Sequence, residues 1–227
     1  TVKITVVCVL LGLILGTLLG MGRLASARTA AANTLLHYGV RWPIAVYVSF
    51  FRGTPLFVQI FLMHFAVLPL FIIRDGLLID GALARDIRSQ YGAVLAGVCA
   101  ITLNAGAYMS EVFRAGIQSL DKGQMESARS LGMSYGQAMR HIILPQAFRR
   151  MLPALGNNAI AILKDSSLVS AIGLVELARS PHRRGASARY WEPYITISCV
   201  YWVMTLLLAY GIRRLEAHLG KGDEGLK

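Results

Sequence analysis

Long uncharged stretches alternate with short charged ones along this chain. Nineteen residues without a charge lie between Lys3 and Arg23, 21 between Arg52 and Arg74, 22 between Arg88 and Glu111, and 20 between Glu192 and Arg213. A helix needs about 20 apolar residues to cross a bilayer core, so each run reads as a membrane span. A fifth run, between Arg150 and Lys164, has 13 uncharged residues and carries Pro153, Gly156, Asn157 and Asn158. Polar groups are costly against hydrocarbon. This run therefore predicts an inner helix that faces a pathway and begins near Pro145. The pattern predicts an all-α integral membrane protein of five transmembrane helices, at about 2–23, 45–73, 89–113, 146–165 and 193–212. One membrane domain covers 1–218, a polar loop fills 114–145, and a tail covers 219–227.

Composition agrees. Of 227 residues, 55% are hydrophobic and 15% charged, and the mean hydropathy is +0.54. Soluble domains carry about 25% charged residues, and disordered chains are poor in apolar ones. The formal charge of +11 would suggest nucleic acid in a soluble protein, but no nucleic-acid-reading module is visible. The basic residues flank apolar spans, which fits a lipid bilayer and its topology rules. Five crossings put the termini on opposite sides. An outside N-terminus and a cytoplasmic C-terminus place most Lys and Arg, Arg52 included, on the cytoplasmic side. The basic segment 179–189 then falls outside, against the rule. Cys8, Cys99 and Cys199 lie in apolar stretches without CxxC spacing and are expected to be buried small side chains rather than metal ligands.

The loop RAGIQSLDKGQMESARSLGMSYGQAMRHIILPQ, from Arg114 to Gln146, holds the clearest local signals. Asp121 is placed to cap a short helix that Gly132 ends, and Ser134 to start a second one running to Leu144. Pro145 marks the start of the next span. A helix–glycine–helix elbow between two spans suits docking into a groove of a partner; an ordinary loop lying on the headgroups fits the same spacing.

Glu126, Ser127, Ala128, Gly132, Ile142, Leu144 and Pro145 resemble the EAA-x3-G-x9-I-x-L-P pattern of ABC transporter permease subunits, with Ser127 departing from its second Ala. Arg52-Gly53-Thr54-Pro55-Leu56 with Val58-Gln59, then Ala107-Tyr108, Glu111, Phe113-Arg114 and Gly116-Ile117, and Lys164-Asp165-Ser166-Ser167-Leu168, resemble segments of the polar amino-acid permeases of the histidine/glutamine type. The likeness runs from about residue 2 to residue 217. It implies a type I importer-like fold and transport of a polar amino acid across a bacterial inner membrane. It also implies a second permease copy, identical or related, a cytoplasmic ATPase dimer holding ATP and magnesium, and a substrate-binding protein or a binding domain fused ahead of the first span. The sequence begins at Thr1, within four residues of an apolar run, so an upstream segment is expected rather than a signal peptide.

This chain has no G-x4-GK[ST] sequence, so no phosphate cradle of that kind and no cofactor is assigned to it. Gly123, Glu126, Ala128, Leu131 and Gly132 are the expected ATPase contacts. Asn104, Asn158, Asp165 and Ser166 are the pathway candidates: Asp165 for a substrate ammonium, Ser166 for its carboxylate. Asn104 equally suits interhelical glue, and Asp165 equally suits a pair with Lys164. By the resemblance, Asn158 stands where some members carry Glu. Glu111 and Arg114, at i,i+3, fit a structural ion pair or a gate. His64 reads as packing. Trp42, Trp191 and Trp202 read as interface anchors. Two other classes stay open: an ion-gradient-driven transporter, and a scaffold without a path. The same machine importing an opine or a sulfur amino acid is a further alternative.

Overall fold

A computed structural model describes residues 1–25, 29–72, 81–174, 177 and 191–220. The basic segment 179–189 and the tail from 221 lie outside them. Among the described residues the chain is helical, without a strand. Ten α-helices follow in order: α1 (Val2–Leu24), α2 (Ala30–Leu36), α3 (Trp42–Gly53), α4 (Leu56–Leu62), α5 (Leu68–Ile72), α6 (Gly81–Gln118), α7 (Lys122–Ser130), α8 (Tyr135–Ala138), α9 (Leu144–Asp165) and α10 (Glu192–Gly220). Helix α2 lies in a stretch the sequence reads as loop.

Three helices, Val2–Leu24, Ser89–Gln118 and Glu192–Leu219, are long and apolar enough to cross a membrane; the number is four if a bent pair counts as one span. That pair, Ala30–Gly53 and Leu56–Phe71, turns by 109°. The run read as one span over 45–73 is therefore broken. Proline causes the break: it disfavours the helical conformation in the residue before it and has no N–H of its own. Thr54, ahead of Pro55, is extended, at φ −116° and ψ 146°.

Three five-residue wide turns sit inside otherwise continuous helices, at His37–Arg41, Met63–Val67 and Met139–Ile143. Each closes with an N–H reaching back five residues: Trp42 to His37, Leu68 to Met63, Leu144 to Met139. A proline follows each closing residue, at Pro43, Pro69 and Pro145. A proline inside a helix collides with the carbonyl four residues earlier and cannot bond to it; a wide turn at that point opens room. Hence Pro145 does not stop the helix that begins at α8. The chain runs on through the turn into α9.

The core lies along α6, with α1 packed against one side and α9 against another. Gly12, Gly16 and Gly20 form one buried ridge of α1. An added Cβ at Gly16 would lie 2.5 Å from Met109 Cβ, and at Gly20 2.8 Å from Phe113 Cβ. Only glycine lets the two backbones come this close. Cys8 is buried in the same seam, but Cys99 and Cys199 are exposed on the chain's outer surface. The expectation of three buried thiols thus fails for two: apolar neighbours in sequence place a residue on a membrane helix, not on its inner face. Trp42, Trp191 and Trp202 are also exposed.

Candidate functional site

The break in the second apolar stretch is where polar side chains gather. With the helix interrupted at Thr54 and Pro55, its backbone carbonyls need other donors. Gln59, almost fully buried, supplies them: its Nε2 donates to Phe51 O at 2.9 Å, Thr54 O at 3.0 Å and Thr54 Oγ1 at 2.7 Å. Asn104 of α6 completes the clamp, donating from Nδ2 to Phe51 O and to Gln59 Oε1, each at 3.0 Å. Tyr47 ties the same region to α6 through a 2.6 Å bond from its hydroxyl to Leu103 O.

A cavity of about 540 Å³ opens beside this clamp. Residues 52–56 of the broken helix, Asn104, Ala105 and Tyr108 of α6, and Asn158, Ala161, Ile162 and Asp165 of α9 line it. Three of the four pathway candidates, Asn104, Asn158 and Asp165, thus share one wall system although more than 50 residues separate the first two. Asn158 Nδ2 is buried without a hydrogen-bond partner among the described residues. Its neighbour Asn157 is exposed instead, as the 100° step of a helix requires.

Ser166 lies elsewhere. It is fully buried and its Oγ donates to Leu163 O at 2.8 Å, so the hydroxyl is occupied and does not line the cavity. The reason is local: α9 tightens at Asp165 into a 3-10 turn over Ser166–Ile172, which turns Ser166 inward. Lys164 and Asp165 make no close salt bridge, although the Lys164 charge acts on the carboxylate. Lys164 lines a separate groove with Tyr201 and Trp202 of α10, and Asp165 makes no ion pair among the described residues.

Sequence reading did not place Arg52 and Tyr108 among the pathway candidates. Arg52, counted there among cytoplasmic cations, lines the cavity with its guanidinium carbon 5.2 Å from the centroid of the Tyr108 ring. The available signal was its position just ahead of Gly53-Thr54-Pro55. The break at Thr54 and Pro55 leaves Arg52 at the end of α3, beside the cavity.

About one turn beyond Tyr108 along α6, Glu111 bonds Arg114 on its own helix and Arg23 of α1, the latter at 2.6 Å. Sequence spacing gave the first pair; the second depends on the α1–α6 packing. This triad pins α1 to α6 just before the elbow.

The elbow itself is built from caps. Asp121 accepts from Gly123 N at 2.9 Å at the start of α7. Ser134 and Gln137 bond reciprocally at the start of α8, which is the capping-box arrangement. Between them, Gly132 N bonds Arg129 O at 3.0 Å and Met133 N bonds Ala128 O at 3.2 Å, a Schellman ending. It needs a left-handed residue, and Gly132 has φ +83°. Of the expected contact residues, Glu126, Leu131 and Gly132 are exposed, Gly123 is half-buried, and Ala128 is 1% exposed, facing inward. Leu131 at the tip is 84% exposed.

The sequence profile of the binding-protein-dependent transport system inner membrane component family matches residues 9–221. The arginine transport system permease protein ArtQ of Bacillus subtilis (strain 168) is 36% identical over 224 residues, covering 98% of this chain and 90% of that protein. A putative glutamine transport system permease protein GlnP of Rickettsia typhi is 32% identical, with 95% and 88% covered. The crystal structure of an amino acid ABC transporter with histidines superposes with a TM-score of 0.72 at 35% identity, covering 95% of this chain and 89% of its own. A broken apolar helix, a polar cavity beside it and a capped elbow thus occur in a chain that belongs to the binding-protein-dependent transport system inner membrane component family.

Proposed function

We propose that the chain is the permease subunit of an ATP-driven importer that carries polar amino acids across a bacterial inner membrane. The observation that carries this reading is the cavity: Arg52, Asp165 and the amides of Asn104 and Asn158 line one space in an otherwise apolar helical body. An amino acid offers the complementary carboxylate, ammonium and polar side chain. The names of the relatives, which speak of arginine and glutamine, support the cargo class.

In this reading five crossings are made by α1, the bent run from α3 to α5, α6, α9 and α10. The N-terminus is outside and the C-terminus cytoplasmic, which puts the elbow on the cytoplasmic side. Two such subunits line one path. A cytoplasmic ATPase dimer, where ATP and magnesium reside, receives the elbow through Leu131 and its exposed neighbours. A binding protein, or a binding domain joined to the chain, delivers the amino acid. The chain itself then hydrolyses nothing; coupling passes through packed helices.

The test is uptake by proteoliposomes holding the assembled complex. Amino-acid import driven by ATP, and absent under an ion gradient alone, is the expected result. Import on the gradient without ATP overturns the reading and favours a secondary transporter.

A further inference from the structure

Resting on the transport reading, we infer that Arg150 is a positioning residue for coupling: it ties the foot of α9 to the base of the elbow, so that a push on the elbow reaches α9 through this tie. The bond itself is direct. Arg150 Nη1 donates to Ser119 O at 2.6 Å and lies 3.5 Å from Ser119 Oγ. Ser119 is the first residue after α6 and stands 31 positions from Arg150 in sequence. Carbonyls at the end of a helix lack partners along it, and a cation is favoured there. One turn earlier on the same face of α9, Gln146 Nε2 lies 3.5 Å from Gln124 Oε1 of α7. At the residue after Arg150 the helices touch: a Cβ added at Gly116 of α6 would lie 2.2 Å from Met151 Cγ, and Met151 is buried.

Two routes then lead from the elbow into α9. The covalent one runs from α8 through the wide turn Met139–Ile143. That turn interrupts the regular ladder, and Pro145 just beyond it brings no N–H to the next rung. The joint is therefore the softer of the two. The second route bypasses α8 and the turn. Ser119 and Gln124 flank Asp121, the cap of α7, so the base of the elbow grips α9 directly at Arg150 and Gln146. From there α9 continues unbroken to Asp165; Pro153 removes one rung without ending the helix. The α9 residues that line the cavity, from Asn158 to Asp165, stand about two to four turns beyond Arg150. A displacement of the elbow base is thus passed along one helix to one wall of the cavity.

The experiment measures ATP hydrolysis and uptake of radiolabelled glutamine and arginine together, in proteoliposomes holding the permease–ATPase complex and supplied with loaded binding protein. Arg150→Ala is expected to keep the ATPase bound and its basal hydrolysis near wild type. Stimulation by loaded binding protein and uptake per ATP should both fall about fivefold or more, because coupling between two sites is reciprocal. Arg150→Lys, which keeps the cation, should recover part of that loss. Gln146→Ala should lower uptake per ATP about twofold, as befits a bond at the limit of length. Ser119→Ala should stay near wild type, since the short bond is to the main-chain carbonyl. His141→Gly, which softens the wide turn at an exposed position, should uncouple less than Arg150→Ala. If Arg150→Ala yields no intact complex, Arg150→Lys and Gln146→Ala decide by the same ratio. Wild-type uptake per ATP in Arg150→Ala overturns the inference. So does a lysine variant no better than alanine, or loss of the bound ATPase, which would make Arg150 part of the dock. Stronger uncoupling by His141→Gly overturns the route. Absence of ATP-driven import in wild type overturns the reading beneath it instead.

Discussion

The elbow and the cavity are held together by opposite means. The elbow is continuous in sequence: Asp121, Gly132 and Ser134 each fix one turn through a bond spanning two or three residues. Its outer surface is exposed up to Leu131, and little of it depends on distant segments. The cavity is discontinuous. Residues 52–56, 104–108 and 158–165 reach it from separate helices, and Asn104 of α6 joins Gln59 in clamping the break. A unit closed by local bonds can move as a piece. A unit whose walls belong to different helices changes shape when those helices shift. That difference suits the elbow to receive force and the cavity to open and close.

The contrast can be broken or sharpened by mutation. The largest effect is expected at Asp165→Asn, which removes the cavity's carboxylate. Uptake should fall about ten- to a hundredfold, the equivalent of ~1.5–3 kcal/mol for a bond to a charged group. Initial rates in proteoliposomes check this. Next comes Gln59→Ala, which leaves the Phe51 and Thr54 carbonyls short of a donor. Thermal unfolding of the purified protein should show a loss of about 1–3 kcal/mol. Combining it with Asn104→Ala should cost clearly less or more than the sum, since the two share Phe51 O and bond each other.

Smaller again is Gly132→Ala. Nothing lies within 4 Å of an added Cβ, so the cost is the left-handed backbone alone, about 1–2 kcal/mol. Gly132→Asn should cost less, because Asn tolerates that conformation. The smallest effect belongs to Asp121→Ala, about 1 kcal/mol for a lost cap. With Ser134→Ala it should add simply, as independent caps do. Strong coupling between these two caps would break the contrast drawn above.

This division also explains what was legible in the sequence. Apolar run lengths gave the helical membrane class because bilayer thickness fixes them. Caps and the elbow glycine could be read because their partners are two to five residues away. The bend at Thr54 and the wide turns ahead of Pro43, Pro69 and Pro145 were not read. An uncharged run looks the same whether straight or broken, and a proline signals a disturbance without its shape. The place of Arg52 beside Tyr108 was hidden for the same reason: only the break brings the end of α3 against α6. Asn104, Asn158 and Asp165 were picked as polar groups at depth, but only packing reveals that they share a space. Ser166 was placed with them because the tight turn after α9 carries no sequence marker of its own.

The central claim is that cargo and motor act at separate places on one chain. The most direct test measures ATP hydrolysis and amino-acid uptake together in the reconstituted complex for Gly132→Asp and Asp165→Asn. The account predicts that both lose uptake, that Asp165→Asn keeps hydrolysis stimulated by loaded binding protein, and that Gly132→Asp does not. Wild-type uptake by the elbow variant, or the same hydrolysis pattern in both, would contradict it.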